Sequence, residues 1–334
     1  MRAWRVLEPR PIDDHPLELA AVDLPEPGRH QVRVRVSVCG VCRTDLHVAE
    51  GDLAVHRPGV VPGHQVVGTV EALGPDTERL ALGDRVGVAW LAWTCGVCRF
   101  CRRGDENLCL RATFTGWDHD GGYAEATLVD ERYAYRLPLG LSDTEAAPLL
   151  CAGIIGYRAL RLTGLRHAGR LGIYGFGASG HITAQIAMAE GAEVYVVTRS
   201  AAARRLAVEL GAAWVGEGDA VPPEPLDAAI NFTPAGSVVP AALAALDRGG
   251  VLAVAGIHLS AMPPLDYDTQ LFEERVLRSV TANTRRDGEE LLALAPRLGV
   301  RADTTVVPFD RADEALADLA HDRITGVAVL DVGG

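Results

Sequence analysis

The sequence predicts a β-rich domain into which a parallel, doubly wound α/β domain is inserted. Residues 1–152 contain short segments of alternating hydrophobicity separated by turns, such as residues 31–36 (QVRVRV). Residues 153–283 instead alternate apolar strands with helical segments. We expect the short α/β tail, residues 284–334, to return to the first domain. Residues 1–152 and 284–334 would then form one domain, and residues 153–283 the other.

Composition limits the class of protein. At 334 residues the chain is long enough for two domains, and its net charge of −12 without a basic block argues against nucleic acid or a membrane surface as a partner. Its apolar runs are too short to span a bilayer and its start lacks a signal-peptide pattern, so we expect a cytoplasmic protein. In that compartment, seven cysteines favour zinc over disulfides. The chain has no lysine, which excludes Schiff-base chemistry.

One stretch, residues 39–47 (CGVCRTDLH), combines two thiols, a hydroxyl, a carboxylate and an imidazole. Cys42 lies within it, His64 follows downstream, and Cys151 is the remaining cysteine outside a cluster at residues 95–109. A thiolate, an imidazole and a second thiolate from separate segments make a three-ligand zinc site with one open position. An open position is typical of catalytic zinc.

The remaining cysteines define a lobe, residues 95–109, with the spacing C-x2-C-x2-C-x7-C: Cys95, Cys98, Cys101 and Cys109. Four thiolates can close a tetrahedral shell around zinc and leave no open position. An iron–sulfur cluster and four free surface thiols are the alternatives. Because such a density of thiols has no packing rationale, the spacing predicts a structural zinc.

A glycine-rich loop connects a predicted strand at residues 170–174 to a helix at residues 182–190, and a second strand follows at residues 193–197. Glycines let the backbone approach a pyrophosphate, and the helix amino terminus stabilises its charge. The sequence therefore predicts a dinucleotide site at Gly175, Phe176, Gly177, Ala178, Ser179 and Gly180.

Together these features resemble the zinc-dependent medium-chain alcohol dehydrogenases, over essentially the whole chain. The resemblance rests on residues 42–47 (CRTDLH), 63–74 (GHQVVGTVEALG), the four-cysteine lobe, Cys151 and the loop 175–180, while residues 90–91 and 116–123 (GWDHDGGY) are closest to a bacterial branch. It implies a GroES-like β catalytic domain interrupted by a Rossmann domain. It also implies one catalytic and one structural zinc per chain, a nicotinamide cofactor, an alcohol or aldehyde substrate, and a homodimer or homotetramer.

By position, the resemblance implies that Cys42, His64 and Cys151 hold the catalytic zinc. Cys39 matches no ligand, although a Cys39–Cys42 ligand pair is the alternative reading. Asp45 matches the carboxylate that orients the zinc-bound imidazole, with an ordinary helix cap as the alternative.

The resemblance further implies that Thr44 takes the alcohol proton and passes it, through the cofactor ribose, to His47 near solvent. Arg43 would pair with the cofactor pyrophosphate. For His47 and Arg43, a plain surface side chain is the alternative. Trp90 and Trp117 match positions that line the substrate pocket in relatives, and either fits a core position equally well.

Two departures from the family pattern refine these expectations. Gln65 replaces the usual glutamate, which keeps the size of the side chain and makes the metal site more electropositive. Thr198, Arg199 and Ser200 replace the acidic residue that binds the adenosine ribose in NAD-selective relatives. Two hydroxyls and a guanidinium can bind a 2′-phosphate, so we expect NADP(H) rather than NAD(H). Cys151 itself, where the polyol branch has a carboxylate, favours simple primary or aromatic alcohols and aldehydes.

The sequence thus predicts a zinc-dependent alcohol dehydrogenase or aldehyde reductase with NADP(H). One alternative is a polyol or other zinc dehydrogenase of the same fold that uses NAD(H). Another is a non-catalytic redox sensor that binds zinc and nucleotide, against which the Thr44–His47 relay argues. The three zinc ligands argue against a zinc-free reductase.

Overall fold

The computed structural model describes residues 1–324 and 326–333. Its strands, numbered along the chain, are β1 (Arg2–Val6), β2 (Leu17–Ala21), β3 (Gln31–Gly40), β4 (Val66–Leu73), β5 (Arg85–Val88), β6 (Leu91–Trp93), β7 (Thr113–Phe114), β8 (Ala126–Asp130), β9 (Ala134–Arg136), β10 (Arg170–Tyr174), β11 (Glu193–Val197), β12 (Trp214–Gly216), β13 (Leu226–Asn231), β14 (Leu246–Val254), β15 (Val276–Ser279), β16 (Thr304–Pro308) and β17 (Val327–Asp331). Its helices are α1 (Arg43–Glu50), α2 (Arg99–Arg102), α3 (Asp143–Pro148), α4 (Ile154–Thr163), α5 (Ala178–Ala189), α6 (Ala201–Glu209), α7 (Val238–Ala244), α8 (Arg285–Leu298) and α9 (Ala312–Ala320).

The chain divides into two compact units. The first comprises Met1–Cys151, Ala282–Pro296 and the described residues from Ala302 onward, and the second comprises Ala152–Thr281 and Arg297–Arg301. Two of these boundaries, after Cys151 and after Thr281, lie within two residues of positions 152 and 283, where the sequence suggested domain ends. The membership of Arg297–Arg301 in the second unit was not anticipated, because this segment begins within the last turn of the amphipathic helix α8 and shows no change of pattern.

The first unit is built around a largely antiparallel sheet with the strand order β16-β17-β3-β4-β5-β9, in which β8 also pairs with β3. In β3, Val32, Val34 and Val36 are buried, while the intervening arginines are more exposed. This alternation is what a strand with one face on the core requires.

The register of this sheet positions two of the candidate ligands. Cys39 at the end of β3 pairs with Val66 at the start of β4, and the amide of Gly40 donates to the carbonyl of Gln65 at 3.0 Å. Cys42 follows β3 by two residues, and His64 precedes β4 by two residues. Both side chains therefore lie at the same edge of the sheet.

The second unit holds a parallel six-stranded sheet with the order β12-β11-β10-β13-β14-β15. Strands such as β10 are almost wholly buried, as expected when helices cover both faces. The predicted Rossmann-type sheet is confirmed. Strand β15, which pairs with β14 at the edge of this sheet, was not predicted from the sequence. The mostly exposed residues of this edge strand give no apolar pattern to recognise.

Within residues 1–324 and 326–333, no helix is both long enough and apolar enough to cross a membrane.

Candidate functional site

Cys42, His64 and Cys151 bring three metal-binding atoms together in the first unit. The two sulfurs lie 3.7 Å apart, Nε2 of His64 lies 3.3 Å from Sγ of Cys151, and all three atoms lie within 4.8 Å of one another. Tetrahedral zinc, with ligands at about 2.0–2.3 Å, would place two sulfurs about 3.8 Å apart and a sulfur and a nitrogen about 3.5 Å apart. The donor set therefore fits zinc. Cys39 is not among these donors, and its buried thiol donates to the Gly40 carbonyl at 3.6 Å.

Local backbone features orient the three candidate metal ligands. Cys42 is the amino-terminal cap of α1, and Cys151 lies in a π-helical turn, Leu149–Gly153, a distortion that is common at functional sites. Gly63, immediately before His64, has φ +98°, and a Cβ atom there would lie 2.4 Å from the ring of Tyr123. Any other residue at position 63 would be strained and would displace His64.

Asp45 fixes the orientation of His64. Its buried carboxylate accepts hydrogen bonds from Nδ1 of His64 at 2.9 Å, from the amides of Gly63 and Cys42 at 3.1 and 3.0 Å, and from the hydroxyl of Tyr123 at 3.3 Å. A proton held on Nδ1 leaves Nε2 free for a metal. Asp45 thus both caps α1 and contacts the imidazole of His64.

The electrostatics of the metal-free site favour a cation at this point. Burial alone would lower the pKa of His64, but the charge and hydrogen bond of Asp45, together with Cys42, raise that pKa to about 10. The hydrogen bond from Cys151, with the charge of His64, lowers the pKa of Cys42 well below its usual value despite burial. A bound metal ion would replace the positive charge on the imidazole.

Gln65, the residue that departs from the family pattern, is buried next to His64. Its Oε1 has no hydrogen-bond partner among the described residues. The side chain packs on Gly40, where an added Cβ would lie 2.8 Å from Oε1. An uncharged amide oxygen therefore stands where a carboxylate would add negative charge.

Thr44 and His47, the two residues expected to pass the substrate proton to solvent, lie on α1. The hydroxyl of Thr44 lies 3.7 Å from Sγ of Cys42, and His47 follows one turn later. Nδ1 of His47 lies 2.8 Å from a carboxylate oxygen of Asp52, a residue that sequence reasoning missed because a single Asp after a helix carries no signal. Arg43, the expected pyrophosphate ligand, is half exposed and pairs with Asp322.

The four lobe cysteines also converge. Sγ of Cys101 lies 3.9 Å from that of Cys95 and 3.5 Å from that of Cys98, and all four sulfurs lie within 4.8 Å of one another. These spacings match tetrahedral zinc. The amide of Val97 and the guanidinium of Arg111 lower the pKa of Cys95 to about 5, which prepares a thiolate for a metal. Among the described residues, this group and the Cys42 group are the ones with metal-binding geometry.

Three aromatic rings, Trp90, Phe114 and Trp117, form what we call the aromatic wall. The ring of Trp90 meets His64 edge-on at 5.0 Å between centroids, and it stacks with Phe114 at 5.1 Å and with Trp117 at 6.0 Å. His56 stacks on the far ring, that of Trp117, at 3.9 Å. The two predicted tryptophans thus lie together, with Trp90 against a candidate zinc ligand. Phe114 was missed because no motif marks it.

The glycine-rich loop lies in the second unit between β10 and α5. A Cβ atom on Gly180 would lie 2.5 Å from the carbonyl of Gly175, so only glycine permits this close packing of helix and strand. Phe176 is buried, Gly177 is exposed, and Ala178 and Ser179 are half-buried. This is the geometry that accepts a dinucleotide pyrophosphate at a helix amino terminus.

The ends of the neighbouring strands also suit a polar ligand. At the end of β13, Nδ2 of the fully buried Asn231 has no hydrogen-bond partner in the described part of the chain. Asn231 pairs in register with Tyr174, the last residue of β10 before the loop. The carboxyl ends of such parallel strands are where α/β sheets bind their ligands, so the residues present fit a dinucleotide.

Thr198, Arg199 and Ser200 follow β11 as predicted. The hydroxyl of Ser200 accepts a hydrogen bond from the amide of Ala203 at 3.3 Å and so caps α6. Nη1 of Arg204 donates to the carbonyls of Thr198 and Arg199 at 3.0 and 2.8 Å. Arg204, whose Nη1 also lies 3.3 Å from Oε1 of Glu217, therefore holds this segment in place, and Arg199 remains exposed.

A zinc-type donor set in a β unit and a dinucleotide loop in a parallel sheet define a zinc-binding dehydrogenase. Comparison with known families agrees. The alcohol dehydrogenase GroES-like domain matches residues 28–139, and the zinc-binding dehydrogenase domain matches residues 178–297. The chain belongs to the zinc-binding alcohol dehydrogenase family of the medium-chain class.

Individual relatives align along the whole length. A probable alcohol dehydrogenase from Mycobacterium tuberculosis is 55% identical over 99% of this chain and 97% of its own length. An alcohol dehydrogenase from Geobacillus stearothermophilus is 35% identical over 95% and 96%. Among solved structures, a cinnamyl alcohol dehydrogenase from Sorghum bicolor has a TM-score of 0.89 at 29% identity, with 100% of this chain and 98% of that chain covered.

Proposed function

We propose that this protein is a zinc-dependent alcohol dehydrogenase that works with NADP(H), chiefly as an aldehyde reductase, on simple primary or aromatic alcohols and aldehydes. The first unit would be its catalytic domain and the second its nucleotide-binding domain. The observation that carries the proposal is the three-donor set of Cys42, His64 and Cys151, which leaves a fourth tetrahedral position open.

The residues of the first unit have separable tasks in this reaction. When bound, zinc supplies a Lewis acid for the substrate oxygen, and the nicotinamide supplies or accepts the hydride. Cys42, His64 and Cys151 would hold the metal, and Asp45 keeps the proton of His64 on Nδ1. The hydroxyl of Thr44, close to Cys42, is placed to exchange the substrate proton, and His47 with its partner Asp52 is placed to pass protons to solvent.

The aromatic wall supports an aromatic substrate. Trp90 packs edge-on against His64, so a substrate held at the metal would lie close to aromatic surface. Ring stacking against such a surface favours aryl over short alkyl groups, by about 0.5–1.5 kcal/mol per ring pair. The thiolate of Cys151, in place of a carboxylate, supports the same preference over polyols.

The exposed Arg199 and the hydroxyl of Thr198 support NADP(H). Residues 198–200, which follow β11, include no acidic residue, and the carboxylate of Glu217 at the neighbouring strand end is paired with Arg204 at 3.3 Å. Arg204 holds the backbone of this segment, which reduces the entropy cost of binding a phosphate there.

Direct binding of NADPH and NADH to the purified protein, followed by nucleotide fluorescence, tests the cofactor proposal without a choice of substrate. We expect tighter binding of NADPH. Thr198→Asp should reverse the preference, because its carboxylate repels a 2′-phosphate and accepts hydrogen bonds from ribose hydroxyls. Val221→Asp, which adds the same charge at an exposed position of the second unit, should leave the ratio unchanged. An unchanged ratio in Thr198→Asp would contradict this account of the cofactor segment, and failure to bind either nucleotide would refute the proposed dehydrogenase.

A further inference from the structure

The four-cysteine lobe and the aromatic wall lie at opposite ends of one small sheet. Strand β6 leads from Trp90 to the first lobe cysteine, and β7 leads from the lobe back to Trp117. Leu91 pairs with Phe114, and the amide of Thr115 donates to the carbonyl of Trp90 at 2.9 Å. A two-stranded sheet this short is only marginally stable by itself. The pairing of its two strands therefore depends on the segments that connect or anchor them at each end.

The lobe end is fastened firmly to the body of the first unit. Arg285, at the start of α8, donates from Nε and Nη2 to the carboxylate of Glu106 at 2.9 and 2.6 Å. Its guanidinium also lies over the ring of Tyr133, whose hydroxyl lies 2.7 Å from that of Thr94, the residue before Cys95. The lobe is therefore fixed both at its entrance and in its interior.

The wall end has attachments of its own, which hold the turn carrying Trp117: Asp118 accepts from the amide of Phe114 at 2.8 Å and lies 2.8 Å from Nδ1 of His56. Nε1 of Trp117 donates to the carbonyl of Ala54 at 2.8 Å, and Trp90 touches His64 through a ring edge. These contacts orient the rings, whereas the positions from which Trp90 and Phe114 project are set by the backbone of β6 and β7.

We propose that the four-cysteine lobe, by closing the β6–β7 sheet, fixes the aromatic wall at the catalytic site and so sets the preference for aryl substrates. The aryl preference rests on the proposed function, whereas the coupling of lobe to wall does not. The lobe would act as a positioning element, because none of its side chains need touch the substrate. Its loss should weaken aryl selectivity more than basal turnover.

The test uses the full-length protein labelled with 5-fluorotryptophan and observed by fluorine NMR, with the five tryptophan signals assigned by single Trp→Phe substitutions. The double variant Cys98→Ser, Cys101→Ser should lose one zinc per chain. We expect the Trp90 and Trp117 signals to shift or broaden, while those of Trp4 and Trp214 stay in place. Leu110→Ser, an exposed change near the lobe that spares its cysteines, is the matched control and should change nothing.

Kinetics give the second readout. In the double variant, kcat/KM for benzaldehyde should fall about tenfold relative to that for butyraldehyde, chiefly through KM, because stacking with the wall is lost. If the double variant does not fold, Glu106→Gln loosens the lobe with all four cysteines present and should move the same two signals. Unmoved Trp90 and Trp117 signals after loss of lobe zinc would overturn the proposal. A wild-type protein that reduces no aldehyde would instead refute the proposed function, and the fluorine spectra would still decide the coupling.

Discussion

The two cysteine sites of the first unit are made of similar atoms but are built in opposite ways. The lobe gathers four sulfurs from residues 95–109, whereas the other site gathers three donors from Cys42, His64 and Cys151, far apart in the sequence. A local, closed cluster depends on its metal for its own folding. A site assembled by the sheet and by a buried carboxylate is held by the fold, so it can leave a coordination position open for substrate.

The largest expected difference between the sites concerns turnover. His64→Ala removes a donor from the open site and should lower kcat/KM more than about a thousandfold, because the Lewis acid contributes several kcal/mol to the transition state. Cys98→Ala, which removes a donor from the closed site, should keep measurable reduction of a short alkyl aldehyde. Steady-state kinetics with zinc analysis of both variants checks this. Comparable losses of turnover in the two variants would contradict the different roles given to the two sites.

A smaller effect concerns how the lobe is attached. Glu106→Gln removes the charge that Arg285 contacts and should lower the free energy of unfolding by about 2 kcal/mol, as for hydrogen bonds to a charged group. Glu125→Gln, which breaks a more exposed pair with Arg2, should cost less than about 1 kcal/mol. Denaturant unfolding with the zinc content held constant measures both. An equal decrease in the free energy of unfolding for both variants would show that the Glu106–Arg285 pair attaches the lobe no more strongly than an exposed ion pair does.

The same ion pair predicts a pH dependence. Burial by itself raises the pKa of Glu106, but hydrogen bonds and charge from Arg285 hold it below the usual 4.5. A carboxyl group with a depressed folded-state pKa stabilises the fold above its unfolded pKa and loses this contribution as the pH falls through the folded value. The stability gap between wild type and Glu106→Gln should therefore be full at pH 7 and shrink below about pH 4.5. A stability difference between wild type and Glu106→Gln that increases as the pH falls would contradict a depressed pKa for Glu106.

The smallest effect is expected at the open site itself. Gln65→Glu adds a charge beside His64 without changing shape, so it should change kcat by less than about tenfold, equivalent to about one pKa unit of interaction. The zinc content should remain intact. Loss of zinc in this variant would show that Gln65 has a different place relative to the metal.

Residue chemistry predicted much of this site from the sequence. The candidate zinc donors were recognisable because cysteine and histidine in such spacing have few other uses. Partners without a distinctive chemistry were not recognisable: Tyr123 reaches Asp45 from 78 positions away, and Arg285 reaches Glu106 from 179 positions away. Their roles arise from strand register and packing, which a local pattern does not encode. The edge strand β15 was missed for a related reason, since its exposed residues lack an apolar period.

The most direct test follows zinc content and turnover together while a chelator such as dipicolinate is added stepwise. The account predicts two zinc ions per chain, one for each donor group, and rapid loss of the one whose open position lets the chelator bind. Turnover should vanish with that first ion and return when zinc is restored. Turnover that survives loss of the first ion, or falls only with the second, would contradict the assignment of catalysis to Cys42, His64 and Cys151.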